Sequence, residues 1–304
     1  MNKKRLGVEL MENDFFQENF KTKISLAGTT TLITSNRMEI IDLLEKDYSE
    51  FISNKKEEFT INFLVKSNKK KITLNKKNVA PLTLPVSMKN SKEKGVFIFN
   101  KKGFSKIWKC KINLRRSYAT IEVNLPNYKS KFINAFKISL MICYSLFFLK
   151  KKALMLHSSA VNKNNKALVF LGPSGEGKTT IMKLLSEDRT FSDDMNVLKV
   201  AGRKIFVFSF PFFGEFKGSK KGLPLKALFF IKKARKNFLY KLNPINSIFK
   251  LINSNFALNF LYMKKDPSFF QAFDFAMGVV KRSKCFNLEF LPEKKVWVKI
   301  RKVL

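Results

Sequence analysis

Apolar and polar residues alternate in several short runs along the first 128 residues. Such runs, separated by polar turns, are typical of β-strands. The predicted strands are residues 23–26, 60–65, 95–99 and 119–123. Residues 38–51 instead carry apolar side chains at three-to-four spacing, which predicts a helix. Its apolar face comprises Ile40, Ile41, Leu44, Tyr48 and Phe51. We therefore predict a β-rich N-terminal domain over residues 1–128, and its role is left open.

From about residue 129 the pattern changes to alternating helices and strands. Two helix starts are marked by a capping side chain followed by proline at the first helical position, Asn243-Pro244 and Asp266-Pro267. The predicted strands are residues 154–157, 167–171, 204–208, 225–231, 286–290 and 296–300. Alternation of this kind is typical of the α/β class. We predict a second, α/β domain over residues 129–304.

The most apolar segment, residues 132–149, is about as long as a minimal transmembrane helix. Less apolar residues recur in it at three-to-four spacing, which is typical of a core helix with a weakly polar stripe. The stripe comprises Asn134, Lys137, Met141, Tyr144 and Ser145. We predict a buried helix here and expect no membrane span.

The chain is strongly basic, with 59 Lys and Arg against 23 Asp and Glu and a formal charge of +36. A charge of this size raises the question of a nucleic-acid partner. The excess, however, is mostly lysine, is scattered from Lys3 to Lys302, and accompanies abundant Phe, Ile and Asn, a set that A/T-rich codons favour. We interpret it as a solvated surface and do not expect nucleic-acid binding.

Cysteine usage and the N-terminus both favour a cytoplasmic protein. The three cysteines, Cys110, Cys143 and Cys285, are odd in number and far apart, which is typical of a reducing compartment. The first residues are basic but are followed by acidic ones instead of an apolar stretch, so no secretion signal is expected.

One motif carries chemistry, the stretch LGPSGEGKTT, in which residues 172–179 satisfy G-x-x-x-x-G-K-[ST]. It follows an apolar strand and precedes a helix, as a phosphate-binding loop requires. Its glycines let backbone N–H groups converge on phosphates, the lysine reaches the β- and γ-phosphates, and the threonine binds Mg²⁺. The residues predicted to bind nucleotide are Gly172, Pro173, Ser174, Gly175, Glu176, Gly177, Lys178, Thr179 and Thr180.

An acidic pair, Asp193 and Asp194, follows Lys178 by fifteen and sixteen positions, after a short predicted strand. Beside a phosphate loop, one carboxylate can bind Mg²⁺ while the other accepts a proton from an attacking hydroxyl. The alternative is a solvated turn. Which aspartate has which role is left open at this point.

Two further residues are candidates for the same site. His157, the only histidine, ends a predicted strand next to the phosphate-loop strand, and the ends of neighbouring strands are where α/β sheets bind ligands. Glu215 is a weaker candidate for a metal ligand. The predicted metal ligands are thus Thr179, Asp194 and Glu215.

These stretches, taken in order, resemble the proteins related to HPr kinase/phosphorylase. The resemblance lies in LHSSAV, LVFLGPSGEGKTT, FSDD, FPFFGEF and LPLKALFFIKK, and it covers about residues 130–304. It implies an α/β P-loop fold shared with ATP-dependent phosphoenolpyruvate carboxykinase. It also implies ATP and Mg²⁺ as cofactors, and transfer of the γ-phosphoryl group to a serine hydroxyl of a protein or peptide.

In that reading Lys178, Asp193, Asp194 and His157 form the catalytic group. A homo-oligomer is compatible with the resemblance. The reverse phosphorylase activity is not implied, because the glycine-rich stretch that the HPr kinases carry after the phosphate loop is not recognisable. Two alternatives are a carboxykinase-like kinase acting on a small molecule and a nucleotide- or nucleic-acid-binding module without chemistry.

Overall fold

Two β-sheets joined by one long helix make up the fold. The structure, a computed structural model, describes residues 19–66, 87–90, 95–100, 108–124, 129–184, 189–216, 218–255 and 268–304. Within these ranges the protein is a mixed α/β protein. All strands of the first sheet lie between residues 20 and 123, and those of the second lie between residues 153 and 290.

The first sheet has seven strands in the order β1-β2-β3-β7-β6-β5-β4. Its β2–β3 and β3–β7 pairs are parallel and the others are antiparallel. The four strands predicted in this half are confirmed. The strands are β1 (Phe20–Leu26), β2 (Thr29–Ser35), β3 (Phe59–Val65), β4 (Ser87–Asn90), β5 (Val96–Asn100), β6 (Trp108–Asn113) and β7 (Tyr118–Val123).

The helix predicted over residues 38–51 is present but ends earlier. Helix α1 spans Met38–Asp47, and a 3-10 turn, Ser49–Phe51, completes the segment. The predicted apolar face is confirmed, because all five of its side chains are buried. The change to a 3-10 turn keeps Tyr48 and Phe51 in the core although the α-helix has ended.

Helix α2 (Lys129–Lys150) is the predicted core helix, and it packs against both sheets. It contains the one helix segment of the described chain that is long and apolar enough to span a membrane, Ile133–Lys150, and 72% of that window is buried. The predicted polar stripe is wrong for its second half. Asn134 and Lys137 reach solvent, but Met141, Tyr144 and Ser145 are buried, because sheets cover the helix on more than one side.

Specific contacts hold α2 to the first sheet. Phe147 stacks on Phe59 with ring centroids 3.9 Å apart. The Sγ atoms of Cys143 and Cys110 lie 3.7 Å apart, and all three cysteines are free and buried. The Trp108 indole N–H donates to Ser139 Oγ at 2.8 Å.

We expect Ser139→Ala to destabilise the protein by about 1–3 kcal/mol, because it leaves the buried Trp108 N–H without an acceptor. Ser145→Ala is the matched control. Both hydroxyls are buried in α2 and donate to the carbonyl four residues back, and Ser139 in addition accepts the Trp108 N–H. Urea unfolding of the two variants measures the difference. Equal losses of unfolding free energy would show that the indole bond contributes nothing.

The second sheet contains a closed ring of strand pairings, β8–β11–β12–β13–β9 and back to β8. Short β10 pairs with β8 beside β11, β15 pairs with β13, and β14 forms the outer edge. The strands are β8 (Ala153–Lys163), β9 (Lys166–Leu171), β10 (Arg189–Ser192), β11 (Met195–Ala201), β12 (Lys204–Ser209), β13 (Leu223–Lys233), β14 (Phe238–Lys241) and β15 (Lys284–Phe290).

Strand β8 is longer than predicted. The sequence predicted a strand that ends at His157, but β8 continues to Lys163 and forms a hairpin with β9. Asn164 and Asn165, with φ of 52° and 58°, occupy the two turn positions, where asparagine tolerates the left-handed conformation. His157 therefore lies within β8.

Four helices follow α2 in the described residues, and α5 is the longest of them. They are α3 (Lys178–Leu184), α4 (Pro244–Asn253), α5 (Ser268–Arg282) and α6 (Lys295–Arg301). The predicted start of α4 is confirmed, because Asn243 Oδ1 accepts a hydrogen bond from Asn246 N at 2.8 Å. The Asp266-Pro267 start lies outside the described residues.

The strand predicted over residues 296–300 is wrong, because this segment is helix α6. Val296, Trp297 and Ile300 are buried together at helical spacing. A strand here could not pair with β15, which already lies between β13 and β14.

Candidate functional site

The glycine-rich loop, residues 172–177, connects β9 to α3 in the predicted order of strand, loop and helix. Gly175 and Gly177 have φ of 89° and 94°, a conformation that favours glycine. A Cβ on Gly177 would lie 2.7 Å from Phe290 Cζ at the end of β15. The Glu176 carboxylate accepts the Lys233 N–H at 2.9 Å. The loop is therefore fixed to the ends of β13 and β15.

Lys178 folds its ammonium group back over this loop. Its Nζ donates to the carbonyl oxygens of Gly172 at 2.7 Å and Pro173 at 3.1 Å. Burial lowers the pKa of the Lys178 ammonium, and the carboxylates of Asp194 and Glu176 partly oppose that effect. A buried ammonium that donates hydrogen bonds to neutral carbonyls can gain from an incoming anion.

Ser158, in the middle of β8, brings the loop and the acidic pair together. On one side it pairs with Leu171, the last residue before the loop. On the other side its N–H donates to the Asp194 carbonyl at 2.9 Å. Two strand spacings, about 10 Å, thus separate the backbone at the loop from the backbone at Asp194.

The Asp193-Asp194 pair lies between β10 and β11, which follow the same side of β8 one after the other. The ladder shifts register between Thr190 and Ser192, and the two aspartates follow, in the interruption between the β10 and β11 pairings. Asn196 supports the interruption from β11, because its Nδ2 donates to the Ser158 carbonyl at 2.7 Å.

The two carboxylates have different surroundings. Asp194 Oδ1 lies 3.1 Å from His157 Nε2, and both side chains are about one-third exposed, at 34% and 39%. Asp193 is buried, and it accepts the backbone N–H groups of Glu215 at 2.7 Å and Phe216 at 3.1 Å. Asp194 is therefore open to a ligand, whereas both oxygens of Asp193 already accept hydrogen bonds.

The structure places His157 next to Asp194, one residue before Ser158, which pairs with the last residue before the loop. The predicted strand end does not exist at His157. Strand β9 ends opposite Ser158, so the part of β8 before Ser158 has no β9 residue beside it. The site forms at this point. The His157 N–H accordingly bonds to the Ser254 carbonyl, after α4, at 2.9 Å.

The remaining predicted residues differ in their exposure to solvent. Thr179 is exposed in the first turn of α3, Pro173, Ser174 and Gly175 are exposed in the loop, and Thr180 is half-buried. The Glu215 side chain is exposed, and this residue contacts Asp193 through its backbone N–H. Within the described ranges, no three His, Cys, Asp or Glu side chains converge as a preformed metal cluster.

Sequence reasoning missed two parts of this site. One is Ser158, whose role depends only on backbone pairing, so no side-chain pattern could have indicated it. The other is the turn formed by residues 214–216, which the motif FPFFGEF suggested only as a source of a carboxylate. The glycine in that motif was the available signal, because Gly214 has φ of 82°.

No protein-family model matches the chain, and no curated protein matches it. The class of protein that the fold defines is therefore a mixed α/β protein with two sheets. The function of the site is argued below from its residues.

Proposed function

We propose that this protein is an ATP-dependent phosphotransferase, similar to HPr kinase, that transfers the γ-phosphoryl group to a serine hydroxyl of a protein or peptide. The observation that carries the proposal is the position of Ser158, which pairs with the last residue before the loop and bonds to Asp194. The glycine-rich loop and Asp194, with its partly exposed carboxylate, are thereby joined to the two sides of a single strand.

The chain's own residues support distinct parts of this reaction. The loop supplies backbone N–H groups and the Lys178 ammonium to the phosphates. These N–H groups and the ammonium stabilise both the negative charge of the bound phosphates and the negative charge that develops during phosphoryl transfer. Because the Lys178 ammonium now bonds to two loop carbonyls, a bound phosphate would replace weak partners with a stronger one.

Asp194 is the better candidate for the general base. A base must reach the acceptor hydroxyl, and the Asp194 carboxylate is partly exposed whereas that of Asp193 is buried against a turn. His157 orients the Asp194 carboxylate by a bond to one of its oxygens. The second oxygen stays available for the proton of the serine hydroxyl.

Mg²⁺ fits the donors that are present. This ion is usually bound through one or two protein oxygens together with substrate phosphates and water, so a preformed cluster is not needed. Thr179, exposed at the start of α3, would supply its hydroxyl, and the phosphates and water would supply the other ligands. When bound, the ion neutralises charge on the phosphate oxygens.

The test is incubation of the purified chain with Mg²⁺ and γ-labelled ATP in the presence of a random peptide pool that carries one central serine. The matched pool carries alanine at that position. We expect alkali-labile label on the serine pool only. Release of label as inorganic phosphate alone, or label on neither pool together with no detectable binding of ADP, would contradict the proposal. We place the reaction in the cytoplasm, where ATP is available.

A further inference from the structure

The turn at residues 214–216 is tied to the site through a single side chain. Both oxygens of the Asp193 carboxylate accept a backbone N–H from it, those of Glu215 and Phe216, at 2.7 and 3.1 Å. Gly214, which begins the turn, has φ of 82°, and a Cβ there would lie 2.0 Å from Asp193 Oδ1. The turn and the carboxylate thus lie in close contact, with no room for a side chain at residue 214.

Aromatic packing fixes the other end of the same segment. The Phe210 ring lies 5.6 Å from Tyr144 of α2, and the Phe212 ring lies 4.7 Å from Tyr48, measured between centroids. The Phe210 N–H also donates to the Met195 carbonyl at 3.0 Å, directly after the acidic pair. Residues 210–216 are therefore held at one end by aromatic packing and at the other by hydrogen bonds to Asp193.

Asp193 and Asp194 are adjacent, so the bonds that hold one carboxylate also restrict the other. With Asp193 held by two N–H groups and the Asp194 carbonyl held by Ser158, the backbone between them has little freedom. The Asp194 side chain must then leave the backbone toward His157. Displacement of a reacting group by about 1 Å can cost about 10²-fold in rate.

We propose that Asp193 is a positioning residue, whose carboxylate holds residues 214–216 and thereby fixes the Asp194 carboxylate for phosphoryl transfer. This inference rests on the proposed function for its kinetic consequence, but the structural part does not.

Hydrogen exchange at the Glu215 and Phe216 amides tests the structural part in the full chain. In Asp193→Asn, one acceptor oxygen remains for two donors and an amide NH₂ faces the second, so we expect exchange at least about tenfold faster than in the native protein. Gly214→Ala displaces the turn from the other side and should have the same effect. In the double variant the exchange rate should not exceed that of the faster single variant, because both substitutions disrupt the same contact between the turn and Asp193.

Two controls isolate the effect. Asp194→Asn leaves the turn bonds in place and should exchange like the native protein. Gly202→Ala places a side chain at another positive φ, 59°, where nothing lies within 4 Å, and so reproduces the backbone strain without the carboxylate. Native exchange rates at both amides in Asp193→Asn would overturn the inference.

Kinetics test the second part. With γ-labelled ATP and the serine peptide pool, Asp193→Asn and Gly214→Ala should both lower the kcat for transfer by about 10-fold to 10²-fold, with the KM for ATP unchanged. A full transfer rate in Gly214→Ala beside a lost rate in Asp193→Asn would assign Asp193 to the reacting atoms and overturn the positioning role. Absence of transfer in the native protein would contradict the proposed function instead, and the exchange rates would still decide whether Asp193 holds the turn.

Discussion

Lys178→Ala should lower the rate of phosphoryl transfer by at least about 10², because it removes a preorganised cation from the place where phosphate charge develops. The side chain is buried on the glycine-rich loop, and only two carbonyl oxygens bind its ammonium there. Those weak partners and the low polarity of the site make the charge more effective toward an anion than a surface lysine would be. The affinity for ATP should fall as well, since the ground-state phosphates use the same group.

Lys183→Ala is the matched control for this prediction. Lys183 lies five residues later, in the last turn of the same helix, and its side chain is exposed. Equilibrium binding of ADP and the transfer assay, run on both variants, separate a local effect from a general loss of positive charge. Equal affinity and equal rate in the two variants would show that the loop lysine does not contact the nucleotide.

Asp194→Asn should retain the affinity for ATP and lose transfer by about 10² to 10⁴, the usual contribution of a general base. The substitution is nearly isosteric and keeps an oxygen for His157, so the fold and the turn at residues 214–216 should be unchanged. The amide cannot take the proton of the acceptor hydroxyl. Binding of Mg²⁺·ADP and the transfer rate, measured on the same preparation, give the two quantities.

The pattern of losses distinguishes the two roles that Asp194 could have. If the carboxylate is mainly a metal ligand, the affinity for Mg²⁺·ADP falls together with the rate, and excess Mg²⁺ restores part of both. If it is the base, affinity stays and excess Mg²⁺ has no effect. Asp274→Asn, an exposed aspartate in α5, is the control for the loss of one negative charge. Unchanged transfer in Asp194→Asn would exclude Asp194 as the base.

Local signals in the sequence predicted local structure well. The alternating runs of the first sheet, the apolar face of α1, the capped start of α4 and the strand, loop and helix around Lys178 are all present. Each depends on side chains within about ten residues of one another. The apolar composition of α2 also predicted that this helix is buried. It did not show that Met141, Tyr144 and Ser145 are covered, because the covering sheets are formed by residues far away in the chain.

The errors came from long-range pairing. Residues 296–300 have a β-rich composition, yet they form a helix because the neighbouring edge of β15 is already taken by β14. The length of β8 depends on its hairpin with β9. The different environments of Asp193 and Asp194 depend on a turn more than twenty residues later. No pattern within the acidic pair itself could have separated the two carboxylates.

Helix α2 connects the first sheet to the strand that carries the site residues. It packs on β8, the strand that carries His157 and Ser158, and its other contacts include β3, β6 and β7 of the first sheet. Phe59 and Trp108 both contact α2, so we expect a substitution that changes the core volume there to shift this helix. The shift would also move β8, the strand that separates the loop from Asp194. The first sheet thus supports, through α2, the strand that separates the loop from Asp194, although no catalytic motif was recognised in that sheet.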